Sequence, residues 1–446
     1  MTEVRKQEAI WDIGIVADDL TGASDTAVHF ARQGWDSLLL LDEFAAPAEP
    51  HHEGPGTLVL TTDARALAND DARIATELAV NRLMRSNVQR LYIKIDSTMR
   101  GSVTAQVNGA LRAWRQRHGE AFAVVCPAYP ALGRTVEASR VRVHGMPLEE
   151  SPSGRDPVTP VATSSLASLL PGSSHLRSPD IADSDARASA LARALGSRAD
   201  ELFSEETPVV LTVDAVTTND LDTIAEAVVT LNGRAVPSGS AGLAQAMARA
   251  WSKPLPTNNR VGPVLHVRRI LMLVTSLHQV AREQEEHFAG SLDSHDLLVL
   301  RPALQDVRDK DALWLWYSKH VPRGVGLPDI VALTAPSERL NELHDRTGIA
   351  ANVANNLAEL TVRLQAEGEF EALLVVGGDG ARAVLHQLAA TGVQIMDEIA
   401  EGIPFGYVVG GSAPGLPIIT KAGGFGSTST LTDVVRFIRS EESCSL

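Results

Sequence analysis

Short, wholly apolar runs rich in valine, isoleucine and leucine recur along this chain, and each is followed by a longer stretch with helical period. That alternation constrains the fold more than any other feature. The predicted strands are Ile13–Ala17, Leu38–Leu41, Leu58–Thr61, Leu91–Ile95, Phe122–Cys126, Val209–Val213, Ile270–Val274, Leu297–Leu300, Leu373–Val376, Tyr407–Val409 and Ile418–Thr420. They do not alternate apolar with polar, so both faces of each are expected to be covered, as in a parallel sheet. The intervening helices are predicted over Ala23–Gln33, Asp70–Ser86, Thr104–His118, Ala186–Leu195, Leu221–Leu231, Gly242–Trp251, Val280–Phe288, Ala350–Ala366 and Ala381–Ala390. Asn69 reads as a helix N-cap, because Asp70 and Asp71 follow where carboxylates suit the helix dipole. The expected class is α/β with right-handed crossovers.

The 446 residues are enough for two or three domains at roughly 150 residues each. Ser252-Lys253-Pro254-Leu255-Pro256-Thr257-Asn258-Asn259 resists regular structure and precedes a fresh strand, so it is the expected boundary. Two domains follow, residues 1–255 and 256–446, each a mostly parallel sheet flanked by helices, with a ligand cleft between them. Residues 151–180, rich in serine and proline, read as an insertion or lid outside the core. Charge and composition then exclude partners. A net charge of −15 repels phosphate backbones and anionic lipid surfaces, and 4% aromatic residues leave little for a base-stacking platform. No apolar run approaches the about 18 residues of a membrane span, and no signal-peptide core follows the first charged residues. Two cysteines, Cys126 and Cys444, make neither a disulfide framework nor a zinc site. The thirteen histidines, His51-His52 in a Pro/Gly-rich loop among them, show no ligand spacing. A reduced cytoplasm is the expected location.

In open parallel sheets ligands sit beyond the carboxyl ends of strands. In the first half those positions are acidic with basic companions: Asp18-Asp19, Asp63-Ala64-Arg65, Lys94-Ile95-Asp96-Ser97 and Asp214. In the second half they are glycine-rich: Thr275-Ser276, Gly377-Gly378-Asp379-Gly380, Gly410-Gly411-Ser412 and Lys421-Ala422-Gly423-Gly424. Carboxylates interleaved with cations can hold a hydroxylated acid, while glycines before a helix let backbone N–H groups approach phosphates. Phosphoryl transfer is the economical reaction for such a pair. Bland readings stand beside these. Asp18 or Asp19 could merely cap a helix, Asp63 and Arg65 could form a surface pair, the glycines could be a tight turn, and Lys421 could be solvated. Lys94 is the hardest to dismiss, because a charge inside an apolar strand needs a ligand or partner carboxylate.

Ala17-Asp18-Asp19-Leu20-Thr21-Gly22-Ala23, Lys94-Ile95-Asp96-Ser97-Thr98-Met99-Arg100-Gly101 and Pro127-Ala128-Tyr129-Pro130-Ala131-Leu132-Gly133-Arg134-Thr135 resemble first-domain motifs of the four-carbon acid-sugar kinases. Gly377-Gly378-Asp379-Gly380 and Thr420-Lys421-Ala422-Gly423-Gly424-Phe425-Gly426 resemble the second-domain motifs, and the five fall in order from about Ile13 to Val435. The resemblance implies ATP-dependent phosphorylation of the terminal hydroxyl of D-threonate, D-erythronate or 3-oxo-tetronate. It implies an N-terminal substrate domain, with contacts at Asp18, Arg65, Lys94, Ile95, Asp96 and Ser97, and a C-terminal nucleotide domain. ATP contacts fall on Ser276, Gly377, Gly378, Asp379, Gly380 and Gly423, and Lys421 joins them as phosphate counter-charge. Asp18 and Asp96 are the candidate bases. Mg²⁺ is expected with the ATP, with no direct protein ligand assigned. D-threonate is the preferred acid, and a homodimer the expected assembly. A non-catalytic sugar-acid sensor and a nicotinamide-dependent dehydrogenase remain as alternatives. The dehydrogenase lacks its dinucleotide fingerprint.

Overall fold

A computed structural model describes residues 11–41, 55–156, 158–252, 265, 267–292, 296–321, 326–337 and 346–439. The His51-His52 loop, Cys444 and most of the expected boundary segment lie outside the described residues. The chain divides into two compact units, Met1–Asn259 and Arg260–Leu446.

In the first unit β1 (Trp11–Ala17), α1 (Leu20–Arg32), β2 (Asp36–Leu40), β3 (Gly56–Thr61), α2 (Asn69–Arg85), β4 (Arg90–Lys94), α3 (Val103–His118) and β5 (Phe122–Cys126) follow one another. A small antiparallel sheet comes next, of β6 (Arg134–Glu137), β7 (Arg140–Val143) and β8 (Met146–Pro147). The chain returns through α4 (Leu166–Leu169), β9 (Ser174–Leu176), α5 (Ser184–Glu201), β10 (Val210–Val213), α6 (Thr218–Thr230), β11 (Ala235–Gly239) and α7 (Ala241–Ser252). The main sheet is parallel throughout, in the order β2-β3-β1-β4-β11-β5-β10-β9.

The second unit holds β12 (Ile270–Val274), α8 (Gln279–Gly290), β13 (Leu297–Leu300), α9 (Leu304–Val307), α10 (Lys310–His320), β14 (Ile330–Thr334), α11 (Arg346–Ala366), β15 (Ala372–Val376) and α12 (Gly378–Gln387). It closes with β16 (Gly392–Ala400), β17 (Ile403–Val409), β18 (Pro417–Lys421) and α13 (Thr430–Arg439). Its sheet runs β13-β14-β12-β15-β18-β17-β16, parallel as far as β18 and antiparallel beyond.

Both units start the same way. The first strand sends the chain outward to a second, the third returns between them, and the fourth lands on the other side of the first. The crossovers therefore diverge between β1 and β4, and again between β12 and β15. A crevice beyond the strand ends opens at such a switch point, whatever side chains line it.

The structure corrects several local expectations. Ala68, in extended conformation, is the N-cap of α2, and Asn69 is already its first helical residue. The Ser/Pro-rich segment is not outside the core: Ser151, Val161, Ser164, Leu166 and Leu170 are buried, and Ser174–Leu176 adds an edge strand parallel to β10. Apolar residues at irregular spacing carry no period to read, yet they still cover a sheet edge. β11 was also missed, because Pro237 argues against a central strand. It is tolerated because Gly239 O accepts Ile95 N–H, which turns the odd-numbered residues toward β4, and pairing with β4 begins only at Ser238. Among the described residues, no helix is long and apolar enough to cross a membrane.

His29 on α1 is buried at 3% exposure, and its Nε2 has no hydrogen-bond partner among the described residues. Burial, with Arg32 and Arg249 adding repulsion, pushes its pKa down to about 3. The unfolded chain therefore binds the extra proton first, near pH 6.5. This contribution to stability is whole above that pH and is lost as pH falls toward 3. His29→Leu should flatten that loss, by roughly 2–3 kcal/mol at pH 4.5 relative to wild type. Parallel acid-denaturation curves for the two proteins would refute this.

Candidate functional site

At the first switch point β1 and β4 are neighbours, with Ala17 opposite Lys94. Asp18 and Asp19 are the next two residues, and they divide the two roles left open by the sequence. Asp19 is the cap: its carboxylate accepts the Gly22 N–H at 2.7 Å. Asp18 points inward and is 1% exposed. From the turn after β3, Arg65 reaches three carboxylates: Nε to Asp18 Oδ2 at 2.8 Å, Nη1 to Asp19 Oδ2 at 2.9 Å and Nη2 to Asp96 Oδ1 at 3.5 Å. The alternative of a surface pair with Asp63 gives way, and Thr61 Oγ1 donates to Asp63 at 3.1 Å.

Lys94 finds its carboxylate partner in Asp18, with Nζ 3.8 Å from Oδ1. Among the described residues no ion pair joins Lys94 to Asp96, two positions on. β4 ends at Lys94 and the chain turns, with Met99 N–H bonded to Asp96 O at 2.9 Å, so the two-residue strand period no longer governs Asp96. Asp96 is instead saturated. It accepts from Thr98 N at 3.1 Å and Thr98 Oγ1 at 2.5 Å, and from Arg100 Nε at 3.0 Å and Nη2 at 2.9 Å. Arg100 also donates from Nη1 to Asp156 Oδ2 at 3.0 Å, which ties the Ser/Pro-rich segment to this cluster. Ile95 contributes only backbone, its N–H bonded to Gly239 O, and Ser97 is half-buried beside it.

The two candidate bases therefore sit in opposite environments. Burial raises the Asp18 pKa above the usual range, and this prevails over the pull of Arg65 and Lys94. Burial would raise Asp96 too, but Arg65, Arg100 and the Thr98 hydroxyl outweigh it and hold that carboxyl well below the usual range. Asp18 Oδ1 has no hydrogen-bond partner among the described residues. A basic, unsatisfied carboxylate oxygen facing an ammonium can accept a proton, whereas Asp96 can only hold neighbours in place.

Arg100 lies inside a motif noticed in the sequence but was assigned no role there. The i,i+4 spacing from Asp96 was the available signal. Asp214, beyond β10, is occupied structurally. It accepts Ala138 N–H at 3.1 Å and Ser139 N–H at 3.0 Å, at a turn where both residues have positive φ, and His175 Nε2 lies 3.3 Å away.

In the second unit Ser276, the Gly377–Gly380 turn, Lys421 and Gly423 come together at the ends of the adjacent strands β12, β15 and β18. Ser276 N–H bonds Val376 O at 3.0 Å and Gly377 N–H bonds Lys421 O at 2.9 Å, which fastens the three strand ends to one another. Gly377 has φ +123, and a Cβ there would lie 2.5 Å from Thr275 Oγ1. A Cβ at Gly423 would overlap Ser276 Oγ. Only glycine fits either place, so backbone N–H groups line the opening at the N-terminus of α12. Asp379 is exposed in the first turn of that helix.

Lys421 is the chemical centre of this group. It is 1% exposed, and Nζ donates to Ala422 O at 2.9 Å. No carboxylate pairs with it among the described residues, and burial pushes its pKa down to about 8. The solvated reading is thereby corrected. A buried, uncompensated ammonium beside a glycine cradle calls for an anion. These residues fit a nucleotide's phosphates. Among the described residues, no group of three His, Cys, Asp or Glu could hold a metal ion by itself.

The model of a sugar-binding N-terminal domain matches residues 13–247, and that of a nucleotide-binding C-terminal domain matches residues 271–431. A D-threonate kinase of Bordetella bronchiseptica is 39% identical over 430 residues, which cover 96% of this chain and 97% of the relative. A D-erythronate kinase of Heliobacterium modesticaldum is 30% identical over 445 residues, covering 96% and 97%. A solved structure from Salmonella typhimurium LT2, 23% identical, covers 95% of this chain and 99% of its own at a TM-score of 0.76, and shares the fold.

Proposed function

The chain belongs to the four-carbon acid-sugar kinase family, and from that premise we propose that it transfers a phosphoryl group from ATP to the terminal hydroxyl of a four-carbon sugar acid. D-threonate is the first candidate, and D-erythronate and 3-oxo-tetronate are the alternatives. The observation that carries this reading is Asp18 at the first switch point, a buried carboxylate with one unsatisfied oxygen 3.8 Å from an ammonium. That pair offers a hydroxyl an acceptor for its proton and offers a carboxylate a counter-charge.

In this proposal the first unit holds the acid. Lys94 and Arg65 neutralise its carboxylate, and Asp18 receives the hydroxyl proton as the oxygen attacks phosphorus. Asp96 does not take the proton. It holds Arg65 and Arg100 in place. In the second unit the Ser276 hydroxyl and the backbone N–H groups of Gly378, Gly380 and Gly423 are the donors for the phosphates, Gly377 shapes the turn that holds them, and Lys421 supplies positive charge. ATP would supply the phosphoryl group and Mg²⁺ would supply positive charge against its phosphates, with the exposed carboxylate of Asp379 as the protein group nearest the turn to help hold it. The preference for D-threonate is supported by the relative of that name at 39% identity. Single hydrogen bonds decide such choices.

Incubation with ATP, Mg²⁺ and each acid in turn tests the reading. ADP should form in step with phosphorylated acid, fastest with D-threonate. Acid binding without ADP would make the protein a sensor. A faster rate with another acid would move the substrate and leave the reaction.

A further inference from the structure

His278 follows Ser276 at the lip of the glycine cradle, and no role has yet been given to its side chain. It is exposed and stands at the N-cap of α8, where Nδ1 accepts the Val280 N–H at 3.2 Å. Its backbone N–H donates to Ser276 Oγ at 3.2 Å, which ties the main chain of His278 to the same turn. The ring lies over the backbone of the second glycine pair: a Cβ on Gly424 would be 3.2 Å from Nε2 and one on Gly423 would be 3.2 Å from the His278 Cβ.

A ring nitrogen that accepts a hydrogen bond carries no proton, so the neutral imidazole keeps its N–H on Nε2. The cap therefore orients a donor. That donor faces the Gly423-Gly424 turn, two residues beyond the buried Lys421 ammonium and beside the N-terminus of a twelve-residue helix. No protein acceptor for Nε2 is found among the described residues.

We infer that His278 is a nucleotide-binding residue, capping α8 through Nδ1 and donating from Nε2 to a phosphate oxygen of the bound nucleoside triphosphate. The inference rests on the nucleotide reading of this unit and adds a residue to it. The side chain has two separable jobs, because asparagine and aspartate are also strong N-caps but are too short to reach with a second donor.

Calorimetric titration of the full chain with a non-hydrolysable ATP analogue, for wild type, His278→Asn and His278→Asp, separates the two jobs. Both variants should melt close to wild type. His278→Asn should bind the analogue about tenfold more weakly, as for one lost hydrogen bond to a charged group, and His278→Asp more weakly still. Wild-type affinity in both folded variants would overturn the assignment and leave the nucleotide site standing. An analogue that fails to bind wild type would overturn the nucleotide reading itself, and His278 with it. If His278→Asn melts early yet binds normally, the residue is a cap alone, and the inference is wrong.

Discussion

Asp18→Asn should lower kcat by roughly 10²- to 10⁴-fold while the protein stays folded. The amide keeps the shape and can still meet Arg65 with its oxygen, but it cannot take a proton from the acceptor hydroxyl. Some stability should be lost too, because Lys94 and Arg65 give up the carboxylate that faces them, so kcat is read on the folded fraction. Asp96→Asn makes the contrast. That carboxylate compensates Arg65 and Arg100 at once, so its loss leaves two half-buried guanidinium groups short of charge. Roughly 3 kcal/mol of stability should go with it, and KM for the acid should rise as Arg65 loosens. The pH profile supplies a second reading of the same assignment. A base must be ionised to act, and the Asp18 pKa lies above the ordinary range, so kcat should fall on the acid side at a higher pH than for an exposed aspartate near about 3.9. Wild-type kcat in Asp18→Asn, with a collapse in Asp96→Asn at unchanged melting temperature, would exchange the two roles.

Lys421→Met should make the protein more stable and worse at binding nucleotide. The ammonium is buried with no carboxylate partner among the described residues, and its pKa of about 8 measures the cost of keeping it charged. From an ordinary value near about 10.4, that cost is up to roughly 3 kcal/mol below pH 8. Between pH 8 and about 10.4 the folded protein releases this proton while the unfolded chain keeps it, so wild-type stability rises through that window. The advantage of the methionine variant should therefore shrink across the same range. ATP affinity should drop by roughly 10²-fold or more, since a phosphate counter-charge in a desolvated site has gone. Because a bound phosphate restores the ammonium, wild type should take up a proton on binding ATP near pH 9, and the variant should not. Calorimetry in two buffers of different ionisation enthalpy reads that proton directly. Equal uptake in both proteins would remove Lys421 from the phosphate site.

How much of this was legible in the sequence depends on how local each feature is. The core strands were, because Ile13–Ala17 or Leu373–Val376 is apolar on both faces and buried on both faces for the same reason. β11 was not, since Pro237 in a central strand is permitted only by the register of its neighbours. The edge strand β9 was not either, being three residues long. The Asn69 cap failed by one residue, because Ala68 takes the extended conformation that ends the preceding turn.

For the site, the sequence by itself determined where the chemistry stands. A residue that follows a buried parallel strand is carried to the carboxyl edge whatever the rest of the chain does, so Asp18, Lys94, Ser276, Gly377 and Lys421 could be named from position alone. It also indicated that Lys94 needs a ligand or a partner carboxylate, because an uncompensated charge within an apolar strand is costly. Only the tertiary structure decided which carboxylate. β1 and β4 lie 77 residues apart at their last positions, Ala17 and Lys94, and are brought side by side because the crossovers diverge there. That places Asp18 against Lys94 and sends Asp96, past the strand end, to Arg100 and Arg65. Basicity followed from those neighbours: two adjacent carboxylates of one chemical type were driven to opposite sides of their usual pKa by burial on the one hand and by paired guanidinium groups on the other. Desolvation and charge pairing are properties of what surrounds a group in space, and strand order is what sets those surroundings.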